Sequence, residues 1–201
     1  TENKEFTASV YWVKFNVTNK TEFTSFILET ARAPANKAIL YEIENNHIVQ
    51  TLKSGDDFAY SDKGIHHRLN VFSVEIDKEA TKSFVLQLES DGETITFPLT
   101  LYESLQFWEK DAINEFVLGI YYGILILVII IYFFFYRLLL NRSFLYYILY
   151  VLSVLILQLS LDGYVFKYVF SQGGYLANHC VLFAASLTVI FLILYAKTYL
   201  N

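Results

Sequence analysis

The sequence predicts an antiparallel β-sandwich followed by three transmembrane helices. Over residues 10–102 apolar and polar side chains alternate, which is the period of a strand with one buried face. Residues 116–136, 144–161 and 176–196 contain no Asp, Glu, Lys or Arg. At about 1.5 Å per residue, the uncharged run 116–136 can cross a hydrocarbon layer of roughly 30 Å, and the other two runs are predicted as further spans.

The distribution of charge divides the chain at the same place. Residues 1–111 carry a net charge of −7 and residues 112–201 a net charge of +2, within a total of −5. About 110 residues are enough for one hydrophobic core. We therefore predict a soluble domain over residues 1–110 and a membrane part over residues 111–201. An acidic first domain offers no basic surface for nucleic acid.

The strands are predicted from five alternating segments separated by turn residues. Short strands at this spacing favour an antiparallel sandwich or jelly roll. Because Pro98 cannot donate to a strand ladder, the last strand is predicted either to lie at a sheet edge or to have the position of the missing amide facing outward. The side chains predicted to share a face are Tyr11, Val13, Phe15 and Val17; Ile39, Tyr41 and Ile43; Asn70, Phe72, Val74 and Ile76; Phe84, Leu86 and Leu88; and Ile95, Phe97, Leu99 and Leu101.

The membrane part shows several features of helix packing. Residues 103–115 have a spacing near 3.6 and predict a short amphipathic linker, with Trp108 at the outer interface. Gly119 and Gly123 form a G-x-x-x-G pair, for which packing inside a helix bundle is favoured over dimerisation. Gln158 lies deep in the second run, where a hydrogen bond between helices is favoured over a direct ligand role.

Basic residues near the helix ends predict the orientation. Arg137, Arg142 and Lys197 lie on one side of the membrane against two lysines on the other, which favours a cytoplasmic first loop. Residues 1–110 would then lie outside. Since the chain begins at Thr1 and contains no Met, we expect a mature or excised fragment whose export signal lay upstream.

The densest polar cluster in the first domain consists of Asp56, Asp57, Asp62, His66 and His67. The three aspartates lack the order of a known calcium loop, and adjacent histidines diverge on a strand. A solvated loop is therefore favoured over a metal site. The sequence contains no Ser-His-Asp order, phosphate loop or paired acid-base motif, so we expect no catalytic residues, cofactor or metal in this chain.

The order and spacing of several motifs resemble a known receptor family. The chain is similar to the bacterial seven-transmembrane receptors with diverse intracellular signalling modules, in both their extracellular jelly roll and the start of their membrane domain. One departure is Tyr132-Phe133, where that family would lead us to expect Tyr-Asn. The matching motifs are Tyr11-Trp12-Val13-Lys14-Phe15; His67-Arg68 with Val71-Phe72; Phe97-Pro98-Leu99-Thr100-Leu101-Tyr102; Gly119-Ile120-Tyr121-Tyr122-Gly123; Asn141-Arg142-Ser143-Phe144-Leu145-Tyr146-Tyr147; and Gln158-Leu159-Ser160 with Gly163.

The resemblance implies the sensory input portion of a receptor in the bacterial inner membrane. Its outer domain would bind a carbohydrate-like ligand, and seven helices would relay to a cytoplasmic kinase, cyclase or phosphatase. The implied partners are the lipid bilayer, an envelope ligand, the remaining helices, the signalling domain and a second copy in a homodimer.

Trp12, His67 and Arg68 are the candidate ligand-binding residues. Trp12 shares a polar strand face, whereas core packing is favoured for Tyr11. The alternative for His67 and Arg68 is that they tie their loop to a neighbouring strand.

Two other classes of function stay open at this stage. A membrane-anchored adhesion or assembly module would use the sandwich to bind an envelope polymer or protein, with helices that only hold it. A membrane transferase or transporter is weaker, because few charges lie inside the predicted spans.

Overall fold

The computed structural model describes residues 3–6, 10–30, 36–89, 94–96 and 99–200, with the backbone alone for 3–6 and 94–96. Antiparallel strands come first and long apolar helices follow, which confirms the predicted fold class. The strands are β1 (Asn3–Phe6), β2 (Tyr11–Thr18), β3 (Ser25–Thr30), β4 (Lys37–Glu44), β5 (His47–Ser54), β6 (Asn70–Glu75), β7 (Thr81–Glu89), β8 (Thr94–Thr96) and β9 (Leu99–Glu103). The helices are α1 (Ser104–Leu139), α2 (Arg142–Leu161), α3 (Tyr164–Tyr168) and α4 (Tyr175–Leu200).

Two antiparallel sheets enclose the core of the first domain. One contains β2-β7-β4-β5 and the other β6-β3-β9, while β1 pairs with β8. Leu40 and Leu86 from the first sheet pack in one buried cluster with Phe26, Leu28 and Phe72 from the second. Two sheets that bury their inner faces against each other form a sandwich.

The predicted burial pattern is confirmed in three strands and wrong in one. On β2, Trp12 is exposed and its odd-numbered neighbours are half-buried, while the predicted faces of β6 and β7 are buried. On β4 the buried residues are Ala38 and Leu40 rather than Ile39 and Tyr41. Both faces of this strand are apolar, so alternation alone does not identify the inner one, which packing between β7 and β5 decides.

Three described strands have no counterpart in the sequence prediction, and the first of them, β1, precedes the alternating residues 10–102. On β3 three consecutive residues, Phe26, Ile27 and Leu28, are all buried, so no alternation marks the strand. On β5 most residues are exposed because it lies at a sheet edge. Pro98 lies outside the described residues, and β9, which follows it, is an edge strand of its sheet.

The three long helices are each long and apolar enough to span a membrane. The 36 residues of α1 correspond to about 54 Å, so the predicted linker is the start of one continuous helix that exceeds a bilayer core of roughly 30 Å. Helix α2 ends at Leu161, and Gly163 follows with a φ of 80°, a conformation that favours glycine.

The described chain forms two compact units. The first comprises Thr1–Glu109 together with Asp162–Asn178, and the second comprises Lys110–Leu161 with His179–Asn201. We call Asp162–Asn178 the outer segment. Although it connects the second and third long helices, it packs as part of the β-sandwich unit.

The interior of the membrane unit is aromatic on one side of α1. The Tyr147 ring lies 4.2 Å from the Tyr132 ring and 5.2 Å from the Tyr195 ring, measured between centroids. Gly119 and Gly123 lie elsewhere, and a Cβ atom at either would have no neighbour within 4 Å among the described residues. The packing partner predicted for this glycine pair is therefore absent from the part of the chain that the structure describes. Gln158 is half-buried.

Candidate functional site

The outer face of the four-stranded sheet carries an exposed aromatic pair. Trp12 is 59% exposed and stacks on Tyr41 with ring centroids 6.0 Å apart and planes at 22°. The Tyr41 hydroxyl donates to Gln87 Oε1 at 3.0 Å, and Gln87 lies opposite Trp12 in the ladder. An exposed ring beside an amide can stack on an apolar ligand face and hydrogen-bond to its edge.

A chain of polar contacts starts on the same sheet face. Lys37 Nζ lies 3.4 Å from Glu89 Oε2 on β7 and 3.4 Å from Asp57 Oδ2 in the following loop. Asp57 Oδ1 in turn accepts a 2.6 Å hydrogen bond from Asn178 Nδ2 in the first turn of α4. Part-exposed ion pairs contribute little to stability, so the main consequence is geometric. The four residues connect the sheet to the start of α4.

The loop between β5 and β6, residues 55–69, contacts the outer segment, and we call it the docking loop. Its two ends are fixed to each other by a hydrogen bond from Ser54 Oγ to Asn70 Oδ1 of 2.7 Å. Both residues are fully buried. A loop with closed, buried ends can hold its remaining side chains in defined positions.

The backbones of the docking loop and the outer segment approach closely. Tyr60 N–H donates to Ser171 O at 2.7 Å, and Gly174 N–H donates to Asp56 O at 3.2 Å. Gly173 has a φ of 72°, and a Cβ atom there would lie 2.7 Å from Asp56 O and 2.8 Å from Phe58 O. Glycine at position 173 is therefore required both by its conformation and by the space available.

Aromatic and cationic side chains pack beside these hydrogen bonds. The Phe166 ring meets the Tyr60 ring edge-on at 5.8 Å. Lys63 is 4% exposed, and its Nζ lies 5.6 Å from the Phe166 centroid while donating to His67 O at 2.9 Å and to Leu69 O at 3.1 Å. Burial lowers the pKa of Lys63 to about 8, an effect that the nearby Asp56 carboxylate partly opposes.

His67 and Arg68 are buried, at 5% and 6% exposure. The His67 ring contacts the rings of Phe107 and Trp108 at 5.4 and 5.9 Å, and its Nδ1 accepts from Leu69 N–H. The Arg68 guanidinium lies 5.6 Å from the Tyr164 centroid. These residues join the docking loop to the start of α1 and to the outer segment, whereas Trp12 lies on β2. A ligand-binding role for His67 and Arg68 stays a prediction.

The aspartates and histidines that the sequence places close together are spread over different contacts. Asp57 bonds Asn178, the His66 ring stacks on Tyr60, and His67 packs against α1. Among the residues that the structure describes, no group of three or more His, Cys, Asp or Glu side chains is placed to hold a metal ion.

A β-sandwich with a stacked aromatic pair on one sheet face, continued by three helices that are long and apolar enough to span a membrane, defines a membrane protein with a folded first domain. Residues 1–103 match the family described as 7TMR-DISM extracellular 2, and residues 114–201 match that described as 7TM diverse intracellular signalling. The chain belongs to this receptor family. Comparison with curated proteins gives no match.

Proposed function

We propose that this chain senses a carbohydrate in the bacterial envelope and passes the signal to its membrane helices. The observation that supports this most directly is the packing of the outer segment in the β-sandwich unit. The outer segment is continuous with α2 at one end and includes the first turn of α4 at the other. A conformational change in the docking loop therefore acts on the outer segment, which leads directly into α2 and α4.

The chemistry of the sheet face supports a carbohydrate as the ligand. The Trp12–Tyr41 stack offers an apolar surface for the C–H face of a sugar, and Gln87 supplies a donor and an acceptor. Two positions further along β7, Glu89 begins the polar chain through Lys37. A ligand that moves the end of β7 or the start of β4 would move Glu89 or Lys37 and so change the geometry of these polar contacts.

For the ligand to signal, the outer segment must favour different arrangements in the free and bound states. Its contacts suit such a change, since they comprise a few hydrogen bonds and ring contacts rather than a large apolar core. The remaining helices of the receptor and a cytoplasmic output domain would receive the signal. We propose that the exposed Gly119 and Gly123 face of α1 contacts one of those helices, and that the catalysis lies in the output domain.

The test uses the full chain in lipid nanodiscs, with chitotetraose and cellotetraose as probes. Calorimetry measures binding, and hydrogen exchange at the Tyr60 and Gly174 amides measures the docking contacts. We expect at least one glycan to bind and to change the exchange of both amides. Trp12→Ala should weaken binding by about tenfold, while Trp12→Phe should retain most of it because a ring remains.

Each alternative result has a distinct meaning. If neither glycan binds, the carbohydrate proposal is wrong for these ligands and this face. If a glycan binds without changing the exchange of the two amides, the relay is wrong, and a membrane-anchored adhesion module becomes the better account.

A further inference from the structure

A cavity lies where polar residues continue the inward-facing parity of the strands, and Gln50 among them is exposed. Along β4, β5 and β7 the side chains of one parity face the core, as Leu40 and Leu86 show. Toward one end of the sandwich, Glu42, Gln50 and Lys82 have this same parity. The alternation that builds the core is therefore continued by side chains that can form hydrogen bonds.

Two of these residues form an ion pair that is partly removed from water. Lys82 Nζ lies 2.6 Å from Glu42 Oε1, and the two side chains are 33% and 14% exposed. Removing charges from water costs free energy, which a single ion pair does not reliably recover. An apolar pair at these positions would extend the core, so stability alone gives no reason for the charges.

The polar residues line a cavity of about 390 Å³. This volume is within the range of small-molecule sites, roughly 300–1,000 Å³. Leu52 and Phe72 form part of its wall, and the exposed Glu75 of β6 also lines it. Gly64 of the docking loop also lines it. Gly64 follows Lys63 in the sequence, and the Lys63 Nζ atom lies over the Phe166 ring of the outer segment. The cavity is therefore one residue away from a contact between the docking loop and the outer segment.

We propose that this cavity binds a small, uncharged ligand with several hydroxyl groups, such as a monosaccharide or a polyol. The carboxylates accept hydrogen bonds, the Lys82 ammonium donates them, and the Gln50 amide does both. A hydroxyl group can donate to one and accept from another without separating the Glu42–Lys82 pair. The inference rests on the proposed sensory function, and it adds a partly open cavity to the exposed face at Trp12.

The experiment is calorimetric titration of the full chain in nanodiscs with D-glucose, N-acetyl-D-glucosamine and myo-inositol. We expect at least one probe to bind, and Glu42→Gln and Lys82→Gln each to weaken it at least tenfold. Gln50→Trp, at an exposed position, should obstruct the cavity and weaken binding similarly while leaving the ion pair intact. The matched control is Glu22→Gln, which removes the exposed Lys78–Glu22 ion pair away from this cavity and should leave binding unchanged.

Two outcomes would overturn the inference: no probe binds, or binding is unchanged in both Glu42→Gln and Gln50→Trp. A loss of binding in Trp12→Ala alone would place the ligand on the sheet face, so that the proposed function stands without this cavity. Cavity binding with no change in exchange at the Tyr60 amide would instead preserve the site and refute the relay.

Discussion

Gly173 and Gly174 allow a direct test of how tightly the outer segment is docked. Both have positive φ, 72° and 96°, so an alanine at either position costs about 1–2 kcal/mol of backbone strain. They differ in their surroundings. A Cβ atom at Gly173 would meet two backbone oxygens at 2.7 and 2.8 Å, whereas at Gly174 it would meet nothing within 4 Å.

The difference between the two variants isolates the docking contacts. An ordinary carbon–oxygen contact is roughly 3.3–3.6 Å, so Gly173→Ala must move the two segments apart by about half an ångström or more. That movement weakens the hydrogen bonds from Tyr60 N–H to Ser171 O and from Gly174 N–H to Asp56 O. At about 0.5–1.5 kcal/mol each, we expect an excess cost of about 1–3 kcal/mol over Gly174→Ala.

Hydrogen exchange of the Tyr60 amide in the full chain measures this cost, because its acceptor lies in the outer segment. Every 1.4 kcal/mol corresponds to a factor of about ten, so exchange should be roughly five- to a hundredfold faster in Gly173→Ala than in Gly174→Ala. Equal protection in the two variants would show that the close approach at Gly173 does not hold the segments together.

Three further predictions concern stability and orientation. The pKa of Lys63 is about 8 in the folded protein and 10.5 in the unfolded chain, so the free energy of unfolding should rise by up to about 3 kcal/mol between pH 8 and pH 10.5. In thermal denaturation over this pH range, the Lys63→Met variant should show no such rise. Asn19→Ala should cost about 2–4 kcal/mol in chemical denaturation, since its buried side chain bonds two carbonyls and Thr21, whereas exposed Asn16→Ala should change stability by less than about 0.5 kcal/mol. In a cysteine-free background, an impermeant thiol reagent should label a cysteine at Gln172 in spheroplasts and spare one at Asn141; the reverse would refute the topology.

Much of the fold could be predicted because its signals are local. The period of two on β7 places Phe84, Leu86 and Leu88 on one face, and all three are buried. An uncharged, apolar run of 18 residues or more predicts a membrane helix. The exposure of Trp12 followed in the same way, from the polar side chains that alternate with the core residues of β2.

Where a strand lacks contrast between its faces, local pattern fails. The apolar residues on both faces of β4 concealed that Ala38 and Leu40 point inward, and β3 is buried on both faces. The inward placement of Glu42 depends on the same assignment, so the ion pair with Lys82 was not foreseen. Pairing between strands far apart in sequence supplied the missing information.

The sequence by itself determined the class of the protein: a β-sandwich outside the membrane, three apolar helices and the receptor family, since periodicity, run length and motif order are written along the chain. Only the tertiary structure decided where the outer segment packs. Asp57 and Asn178 are 121 positions apart, and nothing local indicates that their side chains bond at 2.6 Å. Such contacts join residues far apart in the sequence, and the two segments approach closely where the absence of a Cβ atom at Gly173 leaves room for Asp56 O and Phe58 O.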